Sequence, residues 1–262
     1  MSDRRQRQKE QRTAKREAEK KQEARSELGR RLGTAGIFGV IVVAFLAFTG
    51  VFSGESTELP SGYEGYRQQP TACGAGQPPP EMVISFEAPE PQADITATST
   101  VTATLNTSCG EVVIELDPAG FPETANSFVF LAREGFYNGQ VFHRIVENFV
   151  AQGGDPEANG TGGPGYVIAD EYPDDDYEYE DGAVAMANRG ARSTGSQFFI
   201  LIGDDGQFLT NSFNVLGTVV SGHDTLDKIA AVPTRAAVGS SEQSLPLETV
   251  YIDTVTIDVS GS

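Results

Sequence analysis

From about Ile95 to the end of the chain, apolar residues gather in short runs rich in β-branched side chains and separated by turn formers, and this rhythm constrains the fold more than any other feature. The runs Val101 to Leu105, Val112 to Leu116, Val141 to Val146, Val184 to Ala187, Gln197 to Ile202 and Val215 to Val220 are each the length of one strand. Val250 to Val259 alternates apolar and polar residues over most of its length, as a strand buried on one face does. Many short strands predict an antiparallel sandwich or barrel. Two helices interrupt them. Pro122 suits a first helical turn, Ala125, Phe128, Val129 and Ala132 make an i, i+3, i+4, i+7 face, and Gly135 can end the helix. The second helix lies near Thr225 to Ala231, buries Leu226 and Ile229, and stops at Pro233.

The first 94 residues obey other rules. Residues 1–31 carry 12 Lys+Arg against 6 Asp+Glu and read as a basic, solvated cytoplasmic tail. Residues 32–54 hold no charge, and such a run as a helix reaches across the ~30 Å hydrocarbon core of a bilayer. With Arg30 and Arg31 before it and Glu55 after it, the run predicts a single-pass signal anchor with the N-terminus in the cytoplasm and the body on the other side. Cleavage as a signal peptide is the competing reading, and the long charged head disfavours it. Residues 55–94 contain Pro60, Pro70, Pro78, Pro79, Pro80, Pro89 and Pro91 among Gly, Gln and Glu, which predicts a stalk with little regular structure. Within it, Met82 to Phe86 is an apolar break able to dock on the domain of residues 95–262.

Net charge is −18 for the whole chain, and the positive head hides a still more acidic remainder. Such a body is repelled by phosphate backbones, so nucleic acid is excluded as its partner. Eight acids fall between Asp170 and Asp181, but EF-hand spacing is absent and a solvated acidic loop is expected. The two cysteines, Cys73 and Cys109, both follow the apolar run, in a compartment where disulfides persist. They either bridge the stalk to the domain or remain two separate thiols, since spacing alone does not fix geometry.

With only His143 and His223, and no Cys beside a base, the chain offers neither a hydrolytic triad nor a zinc site. Gly160-Thr161-Gly162-Gly163-Pro164-Gly165 satisfies G-x-G-x-x-G but lacks the βαβ context that a dinucleotide site requires. His143 is assigned a structural place, buried and hydrogen-bonded.

Five segments occur in a telling order: Phe142-His143-Arg144-Ile145-Val146, Asn148 to Asp155, Gly160 to Gly163, Met186-Ala187-Asn188, and Gly195-Ser196-Gln197-Phe198-Phe199-Ile200. Together they resemble the cyclophilin family of peptidyl-prolyl cis-trans isomerases over about residues 95 to 259. The resemblance implies a mainly β fold, a closed eight-stranded antiparallel barrel capped by two helices, with the peptide groove on its outside. It implies that Arg144 is the catalytic arginine. It implies that Phe149, Val150, Phe199 and Leu209 line a proline pocket and that Gln152, Ala187, Asn188 and Gln197 bind the substrate backbone. Where familiar members carry a tryptophan and a pocket histidine, this chain has Phe208 and Phe213. The missing indole N–H implies weak binding of cyclosporin-type inhibitors.

The function expected is therefore rotation about X–Pro bonds in proline-containing peptides and unfolded clients outside the cytoplasm, by a monomeric domain without cofactor or metal. A proline-peptide binding module or chaperone with little catalysis is the alternative.

Overall fold

The computed structural model describes residues 62–80, 84–237 and 239–261. Strands β1 (Thr100–Thr107), β2 (Gly110–Leu116), β3 (Arg144–Val146), β4 (Val150–Gly153), β5 (Ala183–Met186), β6 (Phe198–Leu201), β7 (Val215–Ser221) and β10 (Ile252–Ser260) form one antiparallel sheet in the order β10-β1-β2-β7-β5-β6-β4-β3. A separate hairpin joins β8 (Thr234–Ala236) to β9 (Gln243–Pro246). Helix α1 spans Tyr63–Gln68, α2 Pro122–Arg133 and α3 His223–Ala230, with short 3-10 turns at Ala72–Gly74 and Asp204–Phe208.

Successive side chains on a strand face opposite ways, so cross-strand register divides the sheet into two apolar layers. The row Ile145, Ala151, Ile200 and Val184 pairs across four neighbouring strands and lies in the main core with Phe198, Met186 and Leu216. Helices α2 and α3 contribute Phe128, Leu131, Leu226 and Ile229 to the same core. The alternate row, Arg144, Gln152, Phe199 and Ala185, faces outward. Its apolar members join Val150, Ala183, Leu201, Val215 and Tyr179 in a second cluster.

α2 starts at Pro122, as its sequence dictates, but its N-cap Phe121 supplies no side-chain acceptor. Glu171 does so from a distance: its carboxylate accepts the Glu123 N–H at 3.0 Å, the Thr124 N–H at 2.8 Å and the Thr124 hydroxyl at 2.7 Å. The acidic loop is thus only partly a solvated one. Asp174, Asp175, Asp176, Glu178 and Glu180 are exposed, whereas Asp170 accepts the Arg192 N–H and Asp181 the Gly203 N–H.

Three expectations need correction. The barrel is not closed, because among the described residues no ladder joins the outer strands β3 and β10. β3 is only three residues long, and the chain before it reaches the β10 side through the Val141–Tyr251 bridge and bonds such as Gly139 N–H to Ile252 O at 2.7 Å. The sheet is a curled half-barrel. Helical structure also exceeds two capping helices, since α1 and both 3-10 turns accompany α2 and α3.

The third correction concerns the expected stalk. α1 docks at the seam, where Tyr63 and Tyr66 are buried beside Val141, Ala158 and Tyr251. The Tyr63 hydroxyl donates to Gly139 O at 2.6 Å and the Tyr66 hydroxyl to His143 O at 3.0 Å. Backbone bonds continue the strap, from Ala72 N–H to Thr249 O at 3.0 Å and from Thr249 N–H to Pro70 O at 2.8 Å. Two rings with polar tips found partners that Pro-rich composition hides. A Cys73–Cys109 disulfide, with Cα atoms 5.1 Å apart, fastens the strap to the turn after β1. Further on, Ile84 and Phe86 pack against the main core, Phe86 edge-on to Phe130 at 4.9 Å, while Met82 and Val83 lie outside the described residues.

The expected tail of residues 1–31 and anchor of residues 32–54 also lie outside the described residues. Among the described residues no helix is long and apolar enough to cross a membrane.

Candidate active site

Arg144 opens β3 and stands opposite Gln152 of β4, so both side chains project on the outer face of the sheet. From there a chain of amides runs inward. Arg144 Nη1 donates to Gln152 Oε1 at 3.4 Å, Gln152 Nε2 to Gln197 Oε1 at 3.1 Å, and Gln197 Nε2 to Gly162 O at 2.9 Å. Each amide donates with its nitrogen and accepts with its oxygen, which fixes the direction of the relay. The guanidinium carbon lies 5.5 Å from the centre of the Phe149 ring. That distance is within reach of a cation–π contact.

Beside this polar row lies the second apolar cluster. Val150 and Phe199 are buried in it, and Phe149, Leu209, Phe213 and Ala187 pack against it half-buried. The Phe213 ring meets Phe199 edge-on at 5.4 Å. The segment carrying Leu209 and Phe213 is tied to the acidic loop, because Asn211 Nδ2 donates to Asp174 O at 2.6 Å and Tyr179 hydroxyl to Phe213 O at 3.0 Å. The result is an apolar cluster with a half-buried cation beside it.

Most residues singled out in the sequence therefore converge. Arg144, Gln152 and Gln197 form the relay, and Phe149, Val150, Ala187, Phe199, Leu209 and Phe213 belong to the apolar cluster beside it. Asn188 is engaged by its own loops, donating to Ser212 O at 2.8 Å and accepting the Gly190 N–H at 3.0 Å. The Ala187 N–H is likewise occupied, by Gln197 O at 2.8 Å. Phe208 does not join the cluster, and 63% of it is exposed.

His143 is buried, as expected, but its Nδ1 has no hydrogen-bond partner among the described residues, which corrects the expected bonding. Burial pushes its pKa down to about 4, against the opposing pull of Asp155, so the imidazole is neutral at pH 7. The Asp155 carboxylate, fully buried, accepts N–H bonds from Glu157, Asn159 and Gly160 and so shapes the start of the glycine-rich loop.

One neighbour of Arg144 was not foreseen. Glu242, just ahead of β9, accepts Arg144 Nε–H on Oε1 at 2.9 Å and Nη2–H on Oε2 at 2.8 Å. It is 98 residues from Arg144 in a Ser-Ser-Glu-Gln stretch that carries no motif. Burial acts to raise the Glu242 pKa, but the bonds and charge of Arg144 outweigh it and leave the carboxyl below its ordinary value.

Residues 102–257 match the family model of cyclophilin type peptidyl-prolyl cis-trans isomerases. The chain belongs to the cyclophilin family. It is accordingly an isomerase of peptidyl-prolyl bonds. Over 169 residues it is 37% identical to peptidyl-prolyl cis-trans isomerase B of Streptomyces anulatus, covering 58% of this chain and 96% of that one. It shares 42% identity over 132 residues with the peptidyl-prolyl cis-trans isomerase of Helicobacter pylori, 50% of this chain and 80% of the relative. Among solved structures, a Cryptosporidium parvum cyclophilin crystallised in the presence of the dipeptide Ala-Pro is similar at a TM-score of 0.54 and 25% identity. That likeness covers 60% of this chain and 98% of the other. Disulfide, strap and ion pair are thus features of a cyclophilin whose sheet is held at its seam by residues upstream of the matched region.

Proposed function

We propose that this cyclophilin accelerates X–Pro rotation in client proteins outside the cytoplasm, with Arg144 as the catalytic residue and the apolar cluster of Phe149, Val150, Phe199, Leu209 and Phe213 receiving the proline ring. The observation that carries this reading is the half-buried guanidinium set against the ring of Phe149, itself packed on an apolar cluster at the outer face of the sheet. Amide resonance sets a barrier of ~18 to 20 kcal/mol, and it fails when the imide nitrogen becomes pyramidal and gains a lone pair. A donor aimed at that lone pair interacts with the twisted state and not with the two planar ones, which is the condition for raising the rate. A guanidinium keeps its charge and offers directed N–H bonds, so it suits the task better than an ammonium.

Gln152, Gln197, Ala187, Asn188 and Phe208 are proposed to meet the rest of the peptide. The crystal of the Cryptosporidium parvum relative formed with Ala-Pro supports a proline-containing ligand class for the same fold. Location outside the cytoplasm is supported by the Cys73–Cys109 bridge, which persists in oxidising compartments, and by the uncharged run 32–54 behind a basic head, which we assign as the membrane anchor.

The test is catalysed isomerisation of a proline tetrapeptide by the full-length chain and by Arg144→Ala. We expect the substitution to lower kcat/KM by about 100-fold or more, the scale of losing a charge-stabilising donor. Retention of activity by Arg144→Ala would sink the assignment. If both forms instead bind a proline peptide equally and neither isomerises it, the domain is the binding module considered as the alternative.

A further inference from the structure

We propose that Glu242 is a positioning residue for Arg144, and that the β8–β9 hairpin exists at this end of the sheet to present it. This inference rests on Arg144 being the catalytic residue. A guanidinium carries five N–H donors. Glu242 takes one on Nε and one on Nη2, and Gln152 takes one on Nη1. Among the described residues no acceptor takes the second N–H on Nη1 or on Nη2, and these two can serve a peptide. The paired oxygens of Glu242 meet the planar fork on one side, which fixes its plane as well as its place. Without them the only remaining holds among the described residues are the 3.4 Å bond to Gln152 and the face of Phe149 at 5.5 Å.

Glu242 is itself held. Its backbone N–H donates to Ser240 Oγ at 3.0 Å, and Ser240 N–H donates to Ala237 O at 3.0 Å. Immediately after it, β9 pairs with β8 through Arg235 and Leu245. Both partners of the pair are partly sheltered, with side-chain exposures of 25% for Arg144 and 21% for Glu242. The contact is therefore not a fully solvated ion pair of the kind that contributes little. A long flexible side chain fixed before substrate arrives spends less freedom when the twisted imide forms, and a lost alignment appears in kcat more than in ground-state binding.

The closing experiment compares full-length wild type, Arg144→Ala, Glu242→Ala and Glu242→Gln in the tetrapeptide assay. Peptide affinity and the Arg144 Nε–H resonance are followed by NMR. Glu242→Ala is expected to lower kcat about tenfold while KM and peptide affinity change less than about twofold, and to shift or broaden the Nε–H signal. Glu242→Gln keeps one acceptor for the fork and is expected to recover part of the loss. Activity of Glu242→Ala within about twofold of wild type, or above it as release of a brake would give, overturns the proposal even if Arg144→Ala is inactive. An active Arg144→Ala variant overturns the catalytic assignment instead, so the two failures are distinct. Circular dichroism melts on each variant separate misfolding from misalignment.

Discussion

Replacing Cys109 with Ala, or reducing the bridge, frees a loop that the disulfide now closes over a sequence separation of 36. On the loop-entropy relation, a closure of that size stabilises the folded state by about 4 kcal/mol, provided strap and sheet unfold together. The contacts argue that they do. Tyr63 and Tyr66 are buried, their hydroxyls bond to carbonyls of Gly139 and His143, and Thr249 exchanges backbone bonds with Pro70 and Ala72. The chain has no tryptophan, so urea unfolding is best followed by far-ultraviolet circular dichroism. With a denaturant slope of about 2 kcal/mol per molar, the midpoint should fall by about 2 M on reduction. A fall of less than about 0.5 M would refute the reasoning, for it would mean that the strap detaches independently and contributes nothing to the sheet.

Glu171→Ala removes three acceptor bonds at the start of α2 and should destabilise by about 1 to 2 kcal/mol, read as a lower urea midpoint. Stability should decline as pH drops from about 6.5 toward 4, because His143 binds a proton in the unfolded chain at its ordinary value but, held at about 4 by burial, not in the folded one. The linkage amounts to about 3 kcal/mol, full above pH 6.5, and urea midpoints of His143→Gln should lack that segment of the slope. Phe208→Trp supplies an indole N–H at an exposed position and should tighten cyclosporin binding about fivefold by titration, the worth of one hydrogen bond. Removing residues 1–94 strips Tyr63, Tyr66 and the disulfide from the seam and should leave a domain that melts well below the full chain in a thermal scan.

Much of this arrangement was legible in the residue order, and the reasons differ by element. β1, β2 and β7 announced themselves as β-branched runs between turn formers, and β10 by its alternation of apolar and polar residues. Convergence of Arg144, Gln152, Gln197 and Phe199 could be read only through motif resemblance, since they come from three strand regions and pair across the sheet. β8 and β9 gave no comparable signal, being short runs of Thr-Arg-Ala and Gln-Ser-Leu-Pro that owe their form to packing. Glu242 was invisible for the same reason: nothing local distinguishes a carboxylate that will meet a guanidinium from one that meets water. The strap was misread because propensity counts prolines, whereas its docking depends on two tyrosines three residues apart finding the open edge of a sheet.

Register gives the sheet one last property. On β4 and β6, strands of only four residues, Ala151 and Ile200 point into the main core while Val150, Gln152 and Phe199 point to the face proposed to meet the peptide. On the reading proposed for that face, Gln152 is the one of the three where substitution can alter which sequences around a proline are accepted at little cost to packing, because Val150 and Phe199 are also buried in the second apolar cluster. Selectivity and solidity are written in alternate letters of the same short words, and at Val150 and Phe199 the two overlap.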